Sequence, residues 1–228
     1  MINTNAPGGR FSFEVQAGLT VSGQLDMPAS ARACYVFAHG AGAGMDHPFM
    51  SAAARELGEL GIATLRYQFP YMERRSRRPD PPPLCHATVR AAVAAAAERA
   101  GGLPLFAGGR SFGGRMTSQA QAAAPLHDVR GLAFLGFPLH PAGQPSDARA
   151  VHLSQVQVPM LFLQGTHDAL AECARMQALA QRLGARATLQ LVPGADHSFH
   201  LPARSGRSDF EVRRELLEAL AAWIDRLL

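Results

Sequence analysis

The chain has 228 residues, 47% of them hydrophobic, with a mean hydropathy of −0.02, which suits one α/β domain with a full core. Its formal charge of +4 comes from 22 basic residues, all arginine, against 18 carboxylates, and it equals the run Arg74, Arg75, Arg77 and Arg78. The remainder is near neutral, which argues against a broad nucleic-acid-binding face, and no stretch approaches the roughly 18 apolar residues of a membrane span.

Met1 to Arg10 is polar and has no apolar core, so no secretory signal is expected. Phe11–Val15 and Leu19–Leu25 alternate in polarity, which predicts an opening antiparallel hairpin. Short apolar runs then alternate with helical patterns. The predicted strands are Cys34–Ala38, Ile62–Arg66, Leu103–Ala107, Gly131–Leu135, Met160–Gln164 and Thr188–Val192. The predicted helices are Pro48–Leu60, Leu84–Ala100, closed by Gly101-Gly102, then Phe112–Ala123 and Ala171–Leu183. Ser208-Asp209-Phe210-Glu211 is a capping box that opens a last helix, with Phe210, Leu217, Leu220, Ile224 and Leu227 along one face. This order implies an α/β fold with a mostly parallel, doubly wound sheet covered on both faces, and a single domain over residues 1–228.

Two segments stand apart from the alternation. Met72 to Pro83 holds four arginines followed by Pro81-Pro82-Pro83 and reads as a solvated, proline-stiffened loop. A sharper reading makes it a rim that attracts anionic substrates or an acidic partner. Phe137–Gln157 carries three prolines and is too short for a lid domain, so an open site is expected. Cys34, Cys85 and Cys173 are odd in number and scattered, which speaks against a disulfide framework and for a reducing, cytoplasmic setting.

Chemistry concentrates in Leu105-Phe106-Ala107-Gly108-Gly109-Arg110-Ser111-Phe112-Gly113-Gly114, an apolar strand running into a turn with a helix behind it. Gly109 to Gly113 fits G-x-S-x-G, in which a strained turn presents the serine at a sheet edge. A serine hydroxyl is a weak nucleophile and needs a base. His197, in Gly194-Ala195-Asp196-His197-Ser198-Phe199, follows a strand and is the candidate base. Asp168, in Gln164-Gly165-Thr166-His167-Asp168, is the candidate orienting acid, giving the chain order serine, acid, histidine. The rival His200 stands three residues on, and His197-x-x-His200 has no acidic third ligand at a recognisable spacing, so no metal is expected.

An oxyanion needs two amide donors. One is assigned to Phe112, at the start of a helix. The other is assigned to Ala41 in His39-Gly40-Ala41-Gly42-Ala43-Gly44, with Gly40 and Gly42 as alternatives that also stand near bound substrate. His39 reads as a structural residue bonded to this loop, and His47, His86, His127 and His152 as surface or capping residues. His140, in Gly136-Phe137-Pro138-Leu139-His140-Pro141, lies at a strand end and is a candidate substrate contact. Arg110 and Arg115, flanking the serine, are expected to form structural salt bridges.

These motifs resemble the α/β-hydrolase superfamily over essentially the whole chain. More narrowly, the chain is similar to a small cap-less group related to dienelactone hydrolases, which also includes the testis-expressed protein 30 and the subunit 3 type protein of a chromatin acetyltransferase complex. Dienelactone hydrolases proper use a cysteine nucleophile where this chain has Ser111. The resemblance and the residues together lead to the expectation of a serine hydrolase for a small ester or thioester. No metal or organic cofactor, nucleic acid or membrane is implied, and monomer and homodimer are both left open. The alternative is a non-catalytic interaction module that keeps the fold. Perhydrolysis and peptide cleavage are further uses of the same residues, and no extended peptide groove is visible in the sequence.

Overall fold

Strand formation here follows burial. The segments β3 (Ala33–Ala38) and β4 (Ile62–Tyr67) are covered at every position in the computed structural model, which describes residues 8–228. The first seven residues, and with them most of the polar amino-terminal stretch, lie outside the described residues. Ahead of β3 stand β1 (Gly9–Gln16) and β2 (Leu19–Asp26), whose alternating exposure marks a hairpin with one wet face. After β4 come β5 (Leu105–Arg110), β6 (Val129–Leu135), β7 (Met160–Gly165) and β8 (Ala187–Val192). All eight join one sheet in the order β1-β2-β4-β3-β5-β6-β7-β8. The β1–β2 and β2–β4 pairs are antiparallel, and every pair from β4 to β8 is parallel.

The described residues also form the helices α1 (Pro48–Glu59), α2 (Pro70–Glu73), α3 (Pro82–Arg99), α4 (Phe112–Ala123) and α5 (Cys173–Leu183) between strands, and α6 (Asp209–Asp225) after the last one. They cover both faces of the sheet. Val89 and Val93 of α3, Met116 of α4 and Met176 of α5 pack on one side. On the other side lie Met50 and Leu57 of α1 with Leu216, Leu220 and Trp223 of α6. The buried Glu56 accepts two guanidinium nitrogens of Arg213, which bolts α1 to α6.

Some expectations need correction. Phe210 does not line the buried face of α6. It is 54% exposed and lies under the Arg213 guanidinium, and the buried stripe of α6 begins at Val212. The arginine-rich segment is not wholly a solvated loop. It follows the short α2, and the buried Asp80 accepts the Tyr71 N–H and pairs with Arg74. The helix expected from Leu84 starts at Pro82, whose missing N–H costs nothing at a first helical position. Within Phe137–Gln157, where no lid domain was expected, residues Ala148–Gln155 form a 3-10 turn.

The chain leaves β3 toward β4 on one side and returns through β5 on the other. The switch between β3 and β5 therefore opens a crevice at the carboxyl edge of the parallel strands. The loop after β3 and the turn after β5 both lie there.

Candidate active site

Ser111 sits between β5 and α4 with φ 48° and ψ −114°, a backbone region that side chains rarely adopt. Its N–H donates to Leu135 O at 3.0 Å and its carbonyl accepts the Arg115 N–H at 3.1 Å, so both neighbouring elements hold the strained turn. A glycine is required at position 109, because a β-carbon there would collide with the Ala38 carbonyl of β3. Sequence spacing thus translates into a close approach of two strands under the serine.

From Ser111 a chain of hydrogen bonds runs through two other loops. Ser111 Oγ lies 2.8 Å from His197 Nε2, and His197 Nδ1 lies 2.7 Å from Asp168 Oδ2. A carboxylate only accepts, so the Nδ1 proton is the one donated to Asp168, and Nε2 is left bare toward the serine hydroxyl. Asp168 is 4% exposed. Its Oδ1 accepts the Leu170 N–H at 2.7 Å and its Oδ2 also accepts the Gln164 carboxamide at 2.5 Å. His197 is held in turn by Asp196, whose Oδ1 accepts the N–H groups of Ser198 at 2.8 Å and His200 at 2.9 Å. The rival His200 faces away, with Nδ1 at 2.9 Å from Asp209 Oδ1.

On the opposite wall, His39 is fully buried. Its Nδ1–H donates to Gly40 O at 2.8 Å, and its Nε2 accepts the Phe69 N–H at 3.1 Å. Burial drives its pKa down to about 4, so the ring is neutral. Within the loop after His39, the Gly42 N–H is engaged by the Tyr71 hydroxyl at 3.2 Å and the Ala43 N–H by Gly40 O at 3.2 Å. Phe112 opens α4, where the first amides have no partner within the helix. Its ring packs edge-on against Phe69 and Tyr71.

The remaining candidates fall as follows. His140 is buried, its Nδ1–H donates to Pro141 O at 2.8 Å, and its Nε2 faces Glu172 Oε2 at 3.4 Å. His47 caps α1, its ring accepting the Phe49 N–H. Arg110 and Arg115 form no salt bridge among the described residues, contrary to expectation. Arg110 instead lies 4.4 Å from the Phe49 ring and Arg115 5.8 Å from the Phe112 ring, so aromatic faces replace carboxylates. Gln164 is the residue that sequence reasoning passed over. It stands inside a quoted motif, but nothing in an apolar strand signals that its amide points at a carboxylate three residues beyond the strand end.

A mostly parallel sheet with a strained serine turn at its switch point defines the class: a hydrolase architecture of the α/β type. Residues 31–225 match the family described as alpha/beta hydrolase domain, and the chain belongs to that family. Solved structures share the fold. A dienelactone hydrolase from Anabaena variabilis superposes with a TM-score of 0.76 at 21% identity, over 98% of this chain and 100% of that one. A serine hydrolase without a lid from Xanthomonas campestris gives 0.74 at 22% identity, over 98% and 97%. The esterase domain of a Rhodothermus marinus protein gives 0.72 at 19%, over 96% and 98%.

Proposed function

We propose that this protein is a serine hydrolase that cleaves a carboxylic ester or thioester of a small substrate through an acyl-enzyme. The observation that carries this is the unbroken chain from Ser111 Oγ to His197 to the buried Asp168, at 2.8 and 2.7 Å. In the first step His197 Nε2 takes the Ser111 proton as Oγ bonds to the carbonyl carbon. Asp168 fixes the imidazole tautomer and stabilises the imidazolium that forms. His197 then gives that proton to the departing alkoxide or thiolate, leaving the acyl group on Ser111. Water repeats the sequence and frees the acid. The cycle consumes one water and returns Ser111 and His197 to their starting protonation states.

The developing oxyanion is assigned to the amides of Phe112 and Ala41. Gly42 and Ala43 have their N–H groups committed elsewhere, which leaves Ala41 and its neighbour Gly40 in that loop. The neighbours whose names carry esterase, serine hydrolase or dienelactone hydrolase support a hydrolase; the ester or thioester class is our own reading. Three unpaired cysteines suit a cytoplasmic setting.

The test is hydrolysis of a p-nitrophenyl ester series from acetate upward by wild type and Ser111→Ala. Turnover by wild type and a loss on the order of 10³-fold or more in the variant is the expected result. Equal inactivity, together with resistance of Ser111 to a phosphonylating probe, would overturn the enzyme and leave the interaction module.

A further inference from the structure

We infer that Arg115, in the first turn of α4, anchors a carboxylate carried by the substrate, with Arg149 as second cation. This rests on the ester-hydrolase reading above and names the substrate class more narrowly.

Arg115 stands one turn into α4, its N–H bonded to Ser111 O. Helical side chains lean back toward the helix start. Its guanidinium accordingly lies against the ring of Phe112, the residue that follows the candidate nucleophile. Two neighbouring elements pack on α4: α3, whose His86 Nε2 lies 3.3 Å from Gln119 Oε1, and the 3-10 turn, whose His152 Nε2 lies 2.8 Å from Ser118 Oγ; the Arg149 charge on that same turn acts on Arg115.

No negative charge answers this guanidinium. Among the described residues Arg115 makes no ion pair, and its Nε is buried without an acceptor. Burial first, and the Arg149 charge second, lower its pKa. The one group that opposes them is Cys85, whose thiol is itself pushed up to about 12 by burial and is neutral. His152 is held at about 4 by burial and by Arg115, and His86 is lowered by burial and the neighbouring arginines, so neither contributes charge at neutral pH. A half-buried cation without a counter-charge or a filled hydrogen-bond set is costly to keep. Elsewhere the protein supplies such partners, as Glu56 does for Arg213 and Asp26 for Arg66. Beside Ser111 it leaves one out, and a substrate carboxylate meets the planar fork of Arg115 with the geometry such pairs prefer.

The experiment compares two ester pairs. Mono-p-nitrophenyl glutarate against p-nitrophenyl valerate places the charge on the acyl side; 4-acetoxybenzoate against phenyl acetate places it on the leaving group. In one pair, wild type should prefer the anionic member in kcat/KM by about 10- to 100-fold, the value of a charge-assisted hydrogen bond. That ratio should fall toward one in Arg115→Gln, stay above one in Arg115→Lys, and shrink as salt is raised. Arg149→Gln, on the more exposed element, should lower the ratio about 3-fold and covers the case in which Arg115→Gln does not fold. Ratios unchanged by these variants in both pairs would overturn the subsite.

A readout independent of turnover is the NMR titration of the His152 ring with glutarate. A carboxylate on Arg115 should raise the His152 pKa in wild type and not in Arg115→Gln; no change in wild type overturns the subsite. A neutral fluorophosphonate separates the two claims. Labelling of Ser111 with flat ratios removes only the subsite, and glutarate binding without labelling removes only the hydrolase.

Discussion

Gln164 donates its carboxamide to Asp168 Oδ2 at 2.5 Å, the same oxygen that His197 Nδ1 approaches at 2.7 Å. Its own Oε1 accepts the Phe137 N–H at 2.9 Å. One wholly buried amide therefore ties the acid of the site to the segment that leaves β6.

Replacing Gln164 by Leu leaves the Phe137 N–H without a partner and removes one of three donors from Asp168. The expected cost is about 1–3 kcal/mol, read as a lower midpoint in urea, with kcat falling more than KM rises. Gln164→Glu keeps the acceptor for Phe137 but sets a carboxylate against Asp168. Two such groups cannot both ionise at that distance, so one holds a proton in the folded state and its pKa rises. The variant's deficit should therefore shrink on acidification toward the ordinary carboxylate range and grow as pH rises. A deficit independent of pH would show that the two side chains have moved apart.

Ser111 holds a strained backbone. At φ 48° and ψ −114° glycine has no steric penalty, so Ser111→Gly should raise stability by about 1 kcal/mol. For a chain of this size that is an increase in Tm of about 2–4 °C. Ser111→Ala keeps the strain and should leave Tm nearly unchanged. Both should abolish ester hydrolysis. Equal melting temperatures for the Gly and Ala variants would mean that the turn carries no such strain.

Periodicity carries the sheet and most helices, because parallel strands such as Met160–Gly165 are apolar at nearly every position and their burial is written in composition. The three residues at the site were legible for a related reason. A small-residue turn, an aspartate after a strand and a histidine after a strand all fall at one edge of such a sheet. What stayed hidden depends on partners rather than pattern. The charge-rich run around Arg74 reads as solvated, yet Asp80 within it is buried by its bond to the Tyr71 N–H. Arg115 looks like an ordinary ion-pairing residue, and only the fold reveals that its neighbours are a second arginine, two histidines and a thiol. Phe210 fits the apolar stripe of α6 by spacing, but it packs under the Arg213 guanidinium at the surface and the buried stripe begins at Val212.

Close backbone approach makes a second glycine diagnostic. A β-carbon on Gly165 would collide with the Ala195 carbonyl, where the Asp168 and His197 loops touch. His167 N–H donates to that same carbonyl at 2.9 Å. Gly165→Ala should therefore separate the two loops, lowering stability by about 2 kcal/mol or more and reducing turnover together with it. Under the proposed mechanism Ser111→Ala, in contrast, should remove activity alone. Retained activity in Gly165→Ala would show that the loops can part without disturbing His197.

Acid should weaken the protein through His39 before it reaches the carboxylates. The ring is fully buried, donates from Nδ1 to Gly40 O and accepts the Phe69 N–H at Nε2, so a proton on Nε2 would face another donor. Burial lowers its pKa from 6.5 to about 4, which means that the unfolded chain binds a proton in this window that the folded chain refuses. Stability is therefore full above about pH 6.5 and falls as pH drops toward 4, by about 3 kcal/mol in all. Because His39 fastens the loop that bears Ala41, the loop should loosen in the same range. Urea unfolding of wild type and His39→Gln at neutral pH and near pH 4.5 tests this. The glutamine variant loses ring packing and should be the weaker protein at neutral pH, with the gap narrowing on acidification because glutamine has no proton to gain. A gap of constant size would show that His39 does not titrate in this window.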